Sequence, residues 1–178
     1  MKNILGILVY NFLAKFLNCM PTPQSRVFFL RLFGARIEKD CLVHEVLFQN
    51  LGQNGFRNLI MESRATIQPG CILDMAREII LREKATVSAG VIIATHRNPG
   101  RRLGKPLADI YPPKYGRVEI GYGAWVGVGA IILHGVRIGP LSVVAAGSVV
   151  MEDVPPRTVV AGLPARVKKQ LDMGENAH

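Results

Sequence analysis

The chain has little of what staples, stacks or spans. It carries three cysteines in 178 residues, Cys19, Cys41 and Cys71, with no CxxC spacing. An odd count without a disulfide framework points to a reducing compartment. Aromatic residues make up only 7% of the chain, with one tryptophan. No aromatic-and-basic ladder is present, so nucleic acid is not an expected partner. Acidic residues are also few: 13 against 22 Lys and Arg, for a net charge of +9. That excess calls for an anionic partner, and a phosphorylated cofactor or an anionic membrane surface suits its dispersed pattern. What remains is apolar and aliphatic. Hydrophobic content is 49%, which excludes disorder and fits a thin core of Val, Ile, Leu and Ala in one domain.

Long apolar runs are missing too. Residues 4–17, ILGILVYNFLAKFL, fall short of the ~20 needed to span a bilayer. Lys15 breaks the run, and no small-residue cleavage pattern follows, which argues against a signal peptide. The spacing predicts an amphipathic or interfacial helix. Ile4, Leu8, Phe12 and Phe16 share one face, with Leu5, Val9 and Leu13 beside them, and Pro21 and Pro23 stop it. A second short helix is expected over Ser25–Phe33, ended by Gly34. Two roles stand open for residues 1–36: a cap over the end of the following domain, or peripheral membrane contact through residues 1–33. The two are compatible.

The strongest signal lies further on. Ile120, Val126, Ile132, Ile138, Val144 and Val150 recur every six residues, with a small residue four places after most of them. Six is neither the helical period nor the strand period. It marks a hexapeptide repeat, the unit of a parallel β-helix. Each hexad gives one short strand and one corner. Corners need positive φ or close backbone approach, hence Gly121, Gly127 and Gly139. No coil buries its apolar side alone, so coils stack, ~4.8 Å apart. The same beat runs earlier through Ile37, Val43, Met61, Ile67, Leu73, Leu81, Val87 and Ile93. It lapses over FQNLGQNGFRN, a polar turn-rich stretch, and gains two residues between Leu73 and Leu81. Glu62, Gln68, Asp74, Arg82 and Ser88 stand at less ideal corners. Cys41 and Cys71 fall at small-residue positions and read as buried hydrophobes. The expected layout is a helical segment over 1–36, a solenoid over 37–165 with an excursion at 96–117, and a tail over 166–178.

The excursion, HRNPGRRLGKPLADIYPPKYGR, holds four prolines and is not expected to form strand. Loops of this length are usually functional or disordered. Its Arg97, Arg101 and Arg102 are candidate substrate-binding residues for an anionic ligand. His96 opens it, on a rigid strand beside a loop able to enclose it. Of the other histidines, His134 reads as an exposed turn residue, His44 sits in the irregular first coil and His178 in the tail.

ATHRNP, then a loop, then AWVG, AAGSVV, DVPP and AGLPA in that order closely resembles the hexapeptide-repeat acyltransferases. The nearest branch is that of the maltose, galactoside and surface-polysaccharide O-acetyltransferases. The resemblance is strong over residues 59–169. It implies an all-β solenoid, a left-handed parallel β-helix with an N-terminal α-helical segment, assembled as a homotrimer with sites between subunits. It implies acetyl-CoA as co-substrate and no metal. His96 matches the family's general base, with a backbone N–H near Gly127–Val128 as oxyanion donor. Trp125, Gly127, Val128, Ala146, Met151, Pro164 and Lys169 match the CoA-contacting region. Val128 and Met151 stand where some relatives carry hydroxyl residues.

The leading expectation is transfer of acetyl from acetyl-CoA to a sugar hydroxyl in surface-polysaccharide assembly, by a cytoplasmic protein resting on the inner face of the membrane. A small-molecule acetyltransferase of the same fold is the alternative. A carbonic-anhydrase-type zinc enzyme would need three convergent histidines, and His44, His96 and His134 show no such pattern. A scaffolding solenoid without catalysis would not be stabilised by CoA.

Overall fold

The computed structural model describes residues 4–52, 54–100 and 107–172. Two helices, α1 (Ile4–Leu17) and α2 (Pro23–Leu32), precede a three-faced parallel β-solenoid of about five turns. The first face stacks the strands Arg36–Ile37, Leu59–Met61, Ile79–Leu81, Val118–Ile120 and Arg137–Ile138. The second runs from Leu42–Val43 through Thr66–Ile67, Thr86–Val87, Trp125–Val126 and Val143–Val144 to Thr158–Gly162. The third stacks Val46–Gln49, Cys71–Asp74, Ile92–Ile93, Ile131–Ile132 and Val149–Val150.

The six-residue beat is the core. Met61, Leu81, Ile120 and Ile138 line the inside of the first face, Ile67, Val87, Val126 and Val144 the second, and Leu73, Ile93, Ile132 and Val150 the third, all buried. Each such side chain is worth ~1.5–3 kcal/mol over leaving it in water. The stack has a consequence at the corners. Gly121, Gly127 and Gly139 do not have positive φ. They are glycines because the next coil passes so close: a Cβ on Gly127 would stand 2.7 Å from Ala146 N. The positive φ falls elsewhere, at Gly70, Gly90, Gly129 and Gly147 at one corner and at Asp40, Arg64, Lys84, Leu141 and Arg157 at another.

The stretch expected as a lapse is built instead of apolar contacts. Phe48 takes the third-face core place five residues after Val43, and the strand Val46–Gln49 pairs in register with Cys71–Asp74. Leu51 and Phe56 are fully buried, the latter in a 3-10 turn at Gly55–Asn58. The Phe56 ring meets Phe48 at 5.1 Å and Tyr10 of α1 at 5.9 Å, edge to face in both cases. Gln49, Asn50, Asn54 and Arg57 lie on the outside of a turn that an aromatic plug holds, while Asn58 is buried and donates to Met75 O.

The first coil has no coil before it, and the helices cover it. Thr22 and Ser25 form a capping box at the start of α2. Arg26, Val27 and Leu30 are buried against the first two strands. Arg31 donates to the carbonyls of Ile37 and Glu38, and Arg26 pairs with Glu45. On α1, Ala14 and Leu17 are buried, while Leu8, Phe12 and Phe16 point outward. The side chains of Ile4 and Leu5 lie outside the described residues. Cys41 and Cys71 are buried at their small-residue places, and burial pushes both thiols up. At the far end, where a tail was expected from residue 166, Ala165–Gln170 is a strand antiparallel to Thr158–Gly162. Residues 173–178 lie outside the described residues.

Candidate active site

The third face ends where the chain turns toward the next coil. Three irregularities meet there: the 49–58 turn, the two extra residues after Leu73, and the excursion after Thr95. The solenoid register stacks Leu73 on Ile93, so Asp74 lies one coil from the start of the excursion. Its side chain is 8% exposed. Oδ2 accepts the N–H groups of Thr95 (2.8 Å) and His96 (3.0 Å) and lies 2.6 Å from His96 Nδ1. Oδ1 accepts from Asn50 Nδ2 (2.9 Å) and from Ala76 N–H (3.2 Å). Burial alone would raise the Asp74 pKa. The hydrogen bonds from His96, Asn50, Thr95 and Ala76 outweigh it and hold the carboxyl below its usual value. With Asp74 ionised, Nδ1 of His96 carries the proton and donates it to Oδ2. Nε2 is left with a lone pair, which is what a general base requires. Asp74 carried no functional reading in the sequence, where it looked like one more imperfect corner.

The excursion is not wholly loop. His96–Arg97 pairs antiparallel with Lys114–Tyr115, closing a hairpin at its base. The prolines lie between these strands and spare their N–H groups. The Tyr115 ring stacks on His96, centroids 5.5 Å apart at 12°. Gly116 lets the hairpin settle onto the next coil, since a Cβ there would stand 2.6 Å from Gly135 Cα. His134, read as exposed, is half-buried beneath it. Burial lowers its pKa, and Lys114, Arg97 and His96 add to the effect. The Arg97 guanidinium carbon stands over Tyr111, 3.7 Å from the ring centroid, and Nη1 donates to Tyr111 Oη. Arg101 and Arg102 lie outside the described residues. Among the described residues no three metal-ligating side chains converge.

The residues matched to CoA binding sit elsewhere on the prism. Trp125 is on the second face, half exposed, its Nε1 donating to Ser88 Oγ at 2.8 Å. Val128 and Ala146 occupy the corner between second and third faces in successive coils, both exposed. Gly127 N–H is taken by Val144 O at 2.8 Å, so it is not an available oxyanion donor. Val128 N–H has no recorded partner among the described residues. Met151 is exposed just past the third-face strand Val149–Val150. It shares the corner of His96, two coils along. Pro164 and Lys169 lie exposed on the C-terminal hairpin. One chain thus offers the histidine at one corner and Gly127, Val128 and Ala146 of the matched CoA groups at another.

A family model described as "Hexapeptide repeat of succinyl-transferase" matches residues 117–152. A probable serine acetyltransferase 1 of Oryza sativa subsp. japonica is 41% identical over 112 residues, 61% of this chain and 35% of that protein. The chain spans about a third or less of the length of the curated relatives it matches. Among solved structures, a maltose O-acetyltransferase from Clostridium difficile 630 superposes with TM-score 0.79 at 25% identity, covering 95% of this chain and 88% of that one. A hexapeptide-repeat acetyltransferase from Vibrio cholerae O1 biovar eltor, complexed with acetyl-CoA, gives TM-score 0.75 at 24% identity, over 93% and 89%. In its repeat and in its left-handed β-helix, this chain is a hexapeptide-repeat protein akin to the maltose O-acetyltransferase-like acyltransferases.

Proposed function

We propose that the chain is an O-acetyltransferase that moves acetyl from acetyl-CoA to a sugar hydroxyl, in the assembly of a surface polysaccharide. The observation that carries this reading is the Asp74–His96 pair, with Nδ1 tied to a carboxylate at 2.6 Å and Nε2 left to accept a proton. The likeness to a maltose O-acetyltransferase supports a sugar acceptor. The complex of a structural neighbour with acetyl-CoA supports the donor.

The chemistry follows from the geometry. A sugar hydroxyl is a weak nucleophile at neutral pH. Nε2 takes its proton as the oxygen attacks the thioester carbonyl, and Asp74 stabilises the imidazolium so formed. The tetrahedral oxyanion needs a donor fixed in advance, and Val128 N–H is the free one of the two matched groups. Collapse breaks the carbon–sulfur bond. The thiolate of CoA leaves with the proton from Nε2, and His96 returns neutral. Since histidine and CoA corner lie apart on one chain, the working form is a homotrimer in which neighbours complete each other's sites.

We assign the helical segment to an anionic bilayer surface. Phe12 is 70% exposed, Leu32 65%, Phe28 63% and Leu8 61%. Phe29 links α2 to α1 by its edge contact with Phe16, and meets its own neighbour Phe28 edge to face. Residues 1–37 contain no Asp or Glu, against Lys2, Lys15, Arg26, Arg31 and Arg36. Apolar area rimmed by positive charge suits the interface of anionic lipid. Among the described residues no helix is long and apolar enough to cross.

Turnover of acetyl-CoA with a sugar panel tests the enzyme. His96→Ala should lose acetylation by ~10²–10⁴-fold while still binding CoA and keeping its oligomer; full activity in this variant sinks the mechanism. Sedimentation with phosphatidylglycerol vesicles tests the membrane assignment. Phe12→Ser with Phe28→Ser should release the protein. If the pair instead alters the oligomer, the face belongs to another copy.

A further inference from the structure

Several arginines of this chain answer a glutamate: Arg26 with Glu45, Arg36 with Glu78, Arg64 with Glu83, and Arg82 with Glu62 and Glu119. Beside the dyad the habit changes. Arg77 has no carboxylate within ion-pair distance among the described residues, and neither do Arg97 and Lys114. The two arginines are held by rings instead. The Arg77 guanidinium lies 4.6 Å from the Tyr115 centroid, and that of Arg97 lies on Tyr111. Each is also tied by one hydrogen bond, Arg77 Nη1 donating to Ala76 O at 2.8 Å and Arg97 Nη1 to Tyr111 Oη, while Arg77 Nε and Nη2 have no hydrogen-bond partner among the described residues. That is preparation for an anion, which takes such donors two at a time.

Arg77 and Tyr115 also wall a cleft of about 300 Å³, closed on its other side by Asn50, Asn54 and Asn58 of the 49–58 turn. Among the described residues no carboxylate lines it. Its volume sits at the low end of the range for small-ligand sites. Two of its lining residues touch the dyad: Asn50 donates to Asp74, and Tyr115 stacks on His96. The amides are already oriented. Asn50 Nδ2 is committed to Asp74 and Asn58 Nδ2 to Met75 O at 2.7 Å, which leaves the amide oxygens as the acceptors. Amide acceptors suit sugar hydroxyls, and the unspent Nε and Nη2 of Arg77 suit an acid group. A neutral sugar would leave that cation unanswered.

We propose that the acceptor is an acid-bearing sugar, seated in this cleft with its carboxylate or phosphate on Arg77 and the reacting hydroxyl at His96. The assignment rests on the transferase reading above. Arg77 acts here as a specificity residue, and Asn50 positions both acceptor and dyad.

The test compares matched acceptors with the full chain and acetyl-CoA: methyl glucuronide against methyl glucoside, and glucose 1-phosphate against glucose. The acid member of at least one pair should show the higher kcat/KM, by about 10-fold or more. Arg77→Gln should collapse the acid-to-neutral ratio by ~10- to 100-fold, the scale of a charge-assisted hydrogen bond, and do so through KM. Arg77→Lys should restore part of it. The carboxylate and phosphate pairs tell the two acid groups apart. Equal turnover of acid and neutral sugars overturns the proposal and leaves the transferase standing. So does an Arg77→Gln variant that depresses both members alike, or one that loses the melting shift on adding CoA, which would give Arg77 to the donor's phosphates. If no sugar is acetylated at all, the transferase reading fails first.

Discussion

Asp74→Asn separates the charge of the dyad from its shape. The wild-type carboxylate uses both oxygens. Oδ2 faces His96 Nδ1 and the N–H groups of Thr95 and His96, and Oδ1 faces Asn50 Nδ2 and Ala76 N–H. An asparagine has one acceptor to replace two. With its oxygen toward His96 it keeps three donors satisfied and turns its NH₂ on Asn50 and Ala76. The opposite orientation sets NH₂ against the larger group. The first therefore wins, and the histidine keeps its tautomer. What goes is the negative charge beside the imidazolium that forms when Nε2 takes the proton. A charge-assisted hydrogen bond is worth ~1.5–3 kcal/mol. At ~1.36 kcal/mol per decade that is roughly a 10- to 150-fold fall in kcat/KM. His96→Ala removes the base itself, at ~10²–10⁴-fold. Asp74→Asn should thus lie between wild type and His96→Ala. The double variant should be no slower than His96→Ala alone, because the two act as one unit. The assay is release of the CoA thiol in the presence of acceptor, with the CoA-induced melting shift as a check on fold and donor binding. Wild-type turnover in a folded Asp74→Asn protein would refute the dyad. A double variant falling a further 10-fold would show that Asp74 acts by some route other than the histidine.

Three further outcomes follow from the packing and the charges. The folded pKa of Asp74 is depressed, so its stabilisation is complete above the unfolded carboxylate value, ~3.9, and is lost as pH falls through the folded one. The gap in urea midpoint between wild type and Asp74→Asn should hold steady near neutrality and close in acid; a gap that widens in acid contradicts this. Gly127→Ala puts a Cβ 2.7 Å from Ala146 N and 2.8 Å from Val144 O, so thermal melting should drop and CoA should bind less tightly; an unaltered melting curve would show that the coils can part freely. Ile132→Ala empties a fully buried place between Ile93 and Val150, which should cost ~2–5 kcal/mol in denaturant unfolding.

The core column and the solenoid were legible because a fixed period survives any local irregularity. The helices were legible as helices, but not as faces. Residues 4–17 are apolar nearly all round, so the Leu8–Phe12–Phe16 stripe and the Leu13–Leu17 side compete on equal terms in the sequence. Packing against the first coil decides in the structure. Ala14 and Leu17 fit there and Tyr10 reaches Phe56, while Leu8, Phe12 and Phe16 stay outside. Leu51 and Phe56 went unread among Asn and Gly for a related reason. A turn around a buried ring has no period of its own.

Asp74 was hidden by distance along the chain, since 22 residues separate it from His96. Yet the repeat itself supplies the missing geometry. A parallel solenoid is a lattice in which residues about one coil apart stand in neighbouring strands. Two departures from the beat were visible: eight residues where six belong between Leu73 and Leu81, and an excursion after Thr95. Each leaves the same face at the same place, because Leu73 and Ile93 are register partners. Departures so aligned cannot be independent, for the second must pass over the first. Extra chain at one coil makes room that an ordinary corner lacks, and extra chain at the next can close over it. A solenoid of otherwise uniform corners gains a pocket at a corner in this way. The polar residue at the first departure and the histidine at the second are then the pair to examine, before any relative is consulted.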